Sequence, residues 1–115
     1  MKKVKVVNLT KGNTLLSEVV VSDRYLSRLK GLLGTKALNE GTGMILRPCN
    51  SVHTFFMKYT IDVAFIDKQG IVQYINSMKK NKVSPMVKEG FSVLEAPEGT
   101  FKNKGLEIGD QIKEL

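Results

Sequence analysis

The sequence predicts a mainly β fold of the α+β class, with an antiparallel or mixed sheet or a partly closed barrel, and one amphipathic helix over residues 22–34. Short apolar segments alternate with turn-forming residues along most of the chain, and only one segment has the three- and four-residue apolar spacing of a helix. The 115 residues, 42% hydrophobic and 25% charged, are typical of one globular domain. We therefore expect a single domain over residues 1–115.

The N-terminal part of the chain predicts a β-hairpin at residues 3–21, followed by the helix. Its first half alternates lysine with apolar side chains, residues 11–13 are typical of a turn, and an apolar run follows. Ser22 is a suitable N-cap, and Gly34 ends the helical pattern. The apolar positions of that pattern are Tyr25, Leu26, Leu29, Leu32 and Leu33.

The middle of the chain predicts consecutive strands. Residues 44–46 are apolar, and residues 51–57 are rich in β-branched and aromatic side chains. Residues 61–66 and 71–75 flank a turn at residues 67–70 that ends in glycine, which predicts a central hairpin.

The last third of the chain is expected to begin with an exposed loop. Residues 78–90 are polar, basic and without periodicity. A strand at residues 92–96, a helical turn at residues 102–105 and a short final strand at residues 111–115 complete the predicted fold.

The chain carries a net positive charge. There are 18 Lys and Arg against 11 Asp and Glu, which gives a net charge of +7 and favours acidic partners without identifying them. Lysines cluster only at Lys79, Lys80 and Lys82, where a solvated surface is the simplest interpretation. No apolar run reaches the roughly 18 residues of a membrane span, and no signal-peptide pattern precedes Asn8. A cytoplasmic protein is therefore expected.

The counts of cysteine and histidine exclude several kinds of site. A single cysteine, Cys49, cannot form an intramolecular disulfide, and with a single histidine, His53, it cannot supply a zinc site of the Cys/His type. No cofactor or metal is expected. A thiol near an imidazole is nevertheless the minimum for a cysteine nucleophile. In one extended strand the two side chains would stand about 13 Å apart, so only a turn at Pro48 to Ser51 would bring them together for catalysis.

Two carboxylates in predicted strands are further candidates. Asp62 begins an otherwise apolar strand, so it needs partners, and the amides of the turn at residues 58–60 or a cation such as Arg28 or Arg47 could supply them. Glu95 is expected to face solvent. Nothing in the spacing of Asp62 and Glu95 supports a two-carboxylate mechanism.

Several ordered motifs resemble the DUF192 family over residues 22–115. They are Arg28-x-x-Gly31-Leu32-Leu33, Gly43-Met44-Ile45, Pro48-Cys49-x-Ser51-Val52-His53-Thr54-Phe55-Phe56-Met57-Lys58, Ile61-Asp62-Val63-x-Phe65-Ile66-Asp67, Val93-Leu94-Glu95 and Gly109-Asp110. The Cys-x-Ser-Val-His-Thr-Phe-x-Met form is similar to one branch of the family, and other branches lack the cysteine and histidine. The resemblance implies a mostly β domain of uncharacterised role, with many exported relatives. It also implies that Arg28, Thr54, Met57, Asp62 and Glu95 do more than set the fold.

The leading hypothesis is a non-enzymatic binding or accessory domain. A small polar or anionic ligand, or a peptide end, would bind where the His53 strand, the Asp62 strand and the Arg28 face of the helix meet. The candidate binding residues are Arg28, His53, Thr54, Met57, Asp62 and Glu95.

Two alternatives belong to other classes. In a cysteine-dependent hydrolase or transferase, Cys49 would be the nucleophile and His53 the base, and Cys49 would be alkylated rapidly near neutral pH. In a nucleic-acid-binding module, the loop from Lys79 to Lys82 would contact phosphates, and binding would depend steeply on salt.

Overall fold

The computed structural model describes residues 2–22, 39–55 and 57–115. The helix predicted at residues 22–34 lies outside these residues, as do Arg28 and Gly31, except that Ser22 is the last residue of a strand. The elements are β1 (Lys2–Asn8), β2 (Asn13–Ser22), β3 (Thr42–Leu46), β4 (Ile61–Ile66), β5 (Val72–Met78), β6 (Ser92–Pro97), α1 (Thr100–Lys104) and β7 (Ile112–Glu114).

The seven strands form one mixed sheet in the order β5-β4-β6-β3-β2-β1-β7. The β2–β3 pair is parallel and the other neighbouring pairs are antiparallel. The predicted mainly β class is confirmed, as are the hairpins β1–β2 and β4–β5. The predicted helical turn near residue 102 corresponds to α1.

The sheet curls into a half-barrel whose two edge strands meet at one end. Residues Ile71 and Gln111 form a bridge there, and the Val72 amide donates to the Asp110 carbonyl at 2.9 Å. The Ile112 amide donates to the Gly70 carbonyl, also at 2.9 Å. These bonds satisfy backbone groups that an open edge would expose.

Two apolar clusters cover the two faces of the sheet. The first core fills the curl and takes residues from both edge strands, including Val72 and Ile112. The second core lies on the outer face under the segments that follow β3 and β5. All six residues of β4 are buried because this strand has a core on each side. Ala64 and Ile66 belong to the first core, and Ile61, Val63 and Phe65 belong to the second.

The strand predicted at residues 51–57 is not formed by the residues that the structure describes there, 51–55 and 57. Among them only His53 pairs, through an isolated bridge to Val83. A turn follows, because the Met57 amide donates to the Thr54 carbonyl at 3.1 Å and ends the extended conformation. Met57 therefore points into the second core and does not share the His53 face as a regular strand would require.

Candidate functional site

Two segments outside the sheet are joined into an irregular two-stranded layer, which we call the ribbon and define as residues 50–55 and 82–87. The Ser84 amide donates to the Val52 carbonyl at 2.8 Å, and the Val52 amide donates to Ser84 Oγ at 2.9 Å. The Thr54 amide donates to the Lys82 carbonyl at 2.8 Å. The loop predicted at residues 78–90 is thus held in place by the segment that contains His53.

The ribbon has a buried and an exposed side. Val52, Thr54 and Ser84 are buried, and Val52 belongs to the second core. His53 and Val83 are paired across the ribbon, so their side chains share the opposite side. Val83 is 62% exposed.

An aromatic contact extends this outer side. The rings of His53 and Phe55 stack with their centroids 5.0 Å apart. His53 Nδ1 accepts a hydrogen bond from the Phe55 amide at 3.3 Å. Phe55 is 41% exposed, and Met86, also on the ribbon, is 75% exposed.

Thr54 is buried and holds the turn that contains Lys79, Lys80 and Lys82. Its hydroxyl donates to the Lys79 carbonyl at 2.6 Å and accepts from the Lys82 amide at 2.8 Å. Between them, Asn81 adopts a positive φ of 60° and donates its amide to the Thr54 carbonyl. Thr54 therefore fixes the conformation of the lysine turn, while the lysine side chains stay exposed.

Cys49 lies at the edge of the second core. Its Sγ is 3.1 Å from the carbonyl of Ser51, to which the thiol donates, and its amide donates to the Phe91 carbonyl at 2.8 Å. The side chain is half-buried against the second core.

Asp62 lies on the other side of the sheet from the ribbon and joins three elements. It accepts hydrogen bonds from the Ser77 hydroxyl at 2.6 Å, from the Gly99 amide at 3.2 Å and from the Phe101 amide at 3.1 Å. It thereby caps the first turn of α1. The turn before α1 supplies the amides, in place of the turn at residues 58–60, and the guanidinium of Arg47 is paired with Glu114.

Glu95 is fully buried, so the expectation that it faces solvent is wrong. It lies in the middle of β6, opposite Met44 of β3 and Val63 of β4, and therefore on the face of the second core. Asp62 is paired with Ala96 and lies on the face of the first core. The two carboxylates thus project from opposite faces of the sheet and cannot act on one substrate atom.

The structure brings together only some of the candidate residues. His53 and Thr54 lie in the ribbon, whereas Met57 and Glu95 are in the core, Asp62 is beneath α1, and Arg28 lies outside the described residues. Sequence reasoning missed Val83 and Met86. The available signal was two large apolar residues inside a polar, basic segment.

The surroundings of the ribbon are strongly basic. The side chains of five lysines along or beside it are exposed, and the same stretches contain one acidic residue, Glu89. The lysines are Lys58, Lys79, Lys80, Lys82 and Lys88. Such a surface attracts anionic groups and can speed their association.

Two further searches gave negative results within the described part of the chain. No group of three or more His, Cys, Asp or Glu side chains is placed to hold a metal ion. Over the same residues, no helix has the length and apolar character needed to cross a bilayer.

The comparisons with known proteins assign the family. The chain belongs to DUF192, a family described as an uncharacterized ACR, whose model matches residues 6–114. This confirms the resemblance seen in the motifs.

The relatives are uncharacterised archaeal proteins. UPF0127 protein TK1120 of Thermococcus kodakarensis is 31% identical over 111 residues, which span 93% of this chain and 71% of that protein. UPF0127 protein PH1112 of Pyrococcus horikoshii is 30% identical over 111 residues, spanning 94% and 96% of the two chains.

Two crystal structures share the fold. A protein of Sinorhizobium meliloti 1021, described as a proposed transcription regulator, matches with a TM-score of 0.76 and 22% identity over 97% of this chain and 92% of its own. A protein of unknown function from Novosphingobium aromaticivorans matches with a TM-score of 0.75 and 21% identity over 96% of this chain and 83% of its own.

Proposed function

We propose that this protein is a non-enzymatic binding domain whose ribbon docks an acidic segment of a partner protein. The observation that carries the proposal is the exposed apolar set Phe55, Val83 and Met86 on one ordered layer, surrounded by lysines. The proposed site keeps His53 from the sequence-based hypothesis. It replaces Asp62 and Glu95, which are buried in the fold, with residues of the basic loop.

The exposed apolar side chains provide a driving force for docking. Burying a valine or methionine side chain completely contributes about 1.5–3 kcal/mol. Val83 and Met86 are 62% and 75% exposed, so a partner that covers both gains a few kcal/mol before charge is considered. Because association also costs several kcal/mol of translational and rotational freedom, a weak, transient complex is the expected result.

The charges select the partner. Five exposed lysines with one glutamate nearby favour a segment rich in Asp or Glu, with apolar residues that reach Val83 and Met86. The stacked pair of His53 and Phe55 offers an aromatic contact, and phenylalanine is among the residues enriched at protein interfaces.

The proposal is tested with a short synthetic peptide of glutamates and interspersed leucines, titrated into the isotope-labelled full chain. We expect saturable NMR shifts confined to the ribbon, and none with a peptide in which lysine replaces glutamate. The double variant Val83→Ser with Met86→Ser should weaken binding about tenfold.

A matched control uses exposed apolar residues elsewhere on the protein. Leu9 and Ile108 are 51% and 64% exposed, and the double variant Leu9→Ser with Ile108→Ser should bind the peptide as the unmodified chain does. Equal loss in both double variants, or peptide shifts that map outside the ribbon, would contradict the proposal.

A second candidate function is single-stranded nucleic-acid binding. One observation favours it: the stack of half-buried His53 and exposed Phe55 lies beside the turn of Lys79, Lys80 and Lys82, and aromatic rings next to lysines form stacking platforms for bases. A salt titration with an oligothymidylate decides the matter. If the oligothymidylate binds, its affinity falls steeply with salt, and Phe55→Ala abolishes the binding, nucleic acid is favoured over an acidic peptide.

A further inference from the structure

A cavity opens at the end of the half-barrel near its meeting edges. It has a volume of about 260 Å³. Its base is formed by Ile45, Ile66 and Ile112, which belong to the first core, and Phe91 contributes an aromatic wall. This volume is slightly below the range of about 300–1,000 Å³ that is typical of pockets for drug-sized ligands, so only a smaller molecule would fit.

Arg47 and Glu114 stand over this apolar base. Arg47 follows Ile45 by two residues and Glu114 follows Ile112 by two, so each extends the row of side chains that faces the inside of the curl. The two form a two-contact ion pair, with 3.0 Å between Arg47 Nη2 and Glu114 Oε1. The pair joins β7 to the end of β3, strands that are not neighbours in the sheet.

The charge of the cavity favours an anion. A guanidinium has five N–H donors, and Glu114 uses two of those of Arg47. The hydrogen bonds to Glu114 raise the pKa of Arg47, so the guanidinium stays charged at every physiological pH. Lys68 and Lys113 stand exposed at the rim, and Lys68 Nζ lies 5.7 Å from the centroid of the Phe91 ring.

Asp67, the other acidic residue among those that line the cavity in the described part of the chain, already accepts three hydrogen bonds. Asp67 Oδ1 accepts from the amides of Gln69 and Ile71 at 2.9 Å, and its Oδ2 accepts from the side-chain amide of Gln73 at 2.8 Å. These bonds hold it in its own turn. The cations of the rim therefore have capacity for an additional anion.

We infer that this cavity binds a small molecule with a short apolar body and a terminal carboxylate. The body would contact the isoleucines of the base and the ring of Phe91, while the carboxylate would bind Arg47 between the two rim lysines. A carboxylate suits a guanidinium because its two oxygens match the spacing of the N–H donors. This site shares no residue with the ribbon.

Glu114 offers the same chemical group to Arg47 that the ligand would bring. The internal pair thus competes with the ligand, and removing the competing carboxylate exposes the guanidinium to it. The variant Glu114→Gln keeps the size of the side chain and removes its charge. Affinity for a carboxylate should therefore rise in this variant, whereas a purely structural ion pair predicts no binding in either protein.

The experiment titrates the isotope-labelled full chain with isovalerate, acetate, inorganic phosphate and the neutral isovaleramide. We expect saturable shifts of residues around Ile66, Phe91 and Ile112 with isovalerate, at a dissociation constant on the order of a millimolar. Acetate lacks the apolar body and the amide lacks the charge, so both should bind about tenfold more weakly. Equal shifts with phosphate would indicate a general anion site and would contradict the inference.

Two substitutions test the roles of Arg47 and Glu114 in ligand binding. Glu114→Gln should bind isovalerate about tenfold more tightly, and Arg47→Lys, which keeps the charge but loses the planar donors, should bind it about tenfold more weakly. Lys3→Ala, which breaks an exposed pair with Glu18 elsewhere, is the matched control and should bind as the unmodified chain. Absence of saturable binding in both the unmodified chain and a folded Glu114→Gln variant would overturn the inference.

Discussion

A single buried carboxylate, Asp62, ties β4 to β5 and to the start of α1. Its two oxygens accept from one hydroxyl and two backbone amides, so the negative charge is held by three donors although only 2% of the residue is exposed. A five-residue helix is too short to be stable alone and depends on such tertiary contacts. Gly99 occupies the N-cap position but has no side chain to accept a hydrogen bond. Asp62 therefore caps the helix in its place.

Replacing this carboxylate should be strongly destabilising. We expect Asp62→Ala to lower the free energy of unfolding by about 2–3 kcal/mol, because it leaves the amides of Gly99 and Phe101 without an acceptor in a buried place. Urea unfolding followed by circular dichroism measures the change.

The control for Asp62 is Glu98→Gln, at an exposed acid in the turn before α1, which should change stability by less than about 0.5 kcal/mol. An Asp62→Ala variant as stable as this control would show that the hydrogen bonds to Asp62 contribute little.

At the scale of elements, the packing of β3 depends on a residue without a side chain. Gly43 is buried in β3, and a Cβ built on it would lie 2.4 Å from the carbonyl oxygen of Glu95 and 2.9 Å from Leu16 Cδ1. The first of these neighbours is backbone of β6 and cannot rotate away. Glycine at this position therefore permits the close approach of the two strands.

The corresponding prediction is that Gly43→Ala forces β3 and β6 apart. We expect a loss of about 3 kcal/mol in the free energy of unfolding, at the upper end of the usual overpacking range. Chemical denaturation of the variant gives the value.

A matched glycine variant separates this contact from backbone strain. Gly12 has a φ of 73° and no atom within 4 Å of an added Cβ, so Gly12→Ala should lose about 1 kcal/mol through strain alone. If the two variants were equally stable, the close approach at Gly43 would not be the source of the loss.

On the scale of the whole molecule, a buried acid helps hold β1 against the turn that leads into β7. Asp110 Oδ2 accepts from the Asn8 side chain at 2.9 Å, from Lys11 Nζ at 2.9 Å and from the Glu107 amide at 3.0 Å. Burial alone would raise the pKa of Asp110, but the hydrogen bonds from Lys11, Asn8 and the Glu107 amide outweigh it. The pKa is therefore lowered from its ordinary value of 3.8.

This lowered pKa makes the stability of the protein depend on acid pH. The contribution of Asp110 is fully present above its unfolded value, near pH 4, and is lost as the pH falls through the lower folded value. In Asp110→Asn this contribution is absent. We therefore expect the stability difference between the unmodified chain and the variant to be greatest at neutral pH and to shrink below about pH 4.

Urea denaturation at neutral pH and at several acidic values checks this expectation. Glu107→Gln, at an exposed acid that also contacts Lys11, is the control and should show a much smaller pH-dependent difference. A difference for Asp110→Asn that is the same at every pH would mean that the charge of Asp110 does not contribute to folding.

The sequence predicted those parts of the fold that depend on neighbouring residues. The hairpins β1–β2 and β4–β5 follow from alternating or continuous apolar segments on either side of a turn with glycine, and both are present. The ribbon was not predicted, because residues 82–87 lack any apolar period and pair with a segment about thirty residues away in sequence. Long-range pairing of irregular segments leaves no local pattern to detect.

The candidate site could be predicted only in part. His53 is half-buried on the outer side of the ribbon, whereas Met57, another predicted binding residue, is buried in the second core because a turn follows Thr54. Glu95 sits in a strand as predicted, yet its burial depends on the second core, which covers the outer face of β6.

The sequence by itself therefore determined the two hairpins with their turns, the family and, since it has one cysteine, the absence of any intramolecular disulfide. The tertiary structure alone decided which carboxylates are buried, which loop residues meet His53, and where Arg47 and Glu114 stand over the apolar end of the half-barrel. The physical reason is that alternation along a strand specifies which side chains share a face, whereas their burial is fixed by whatever part of the chain packs on that face.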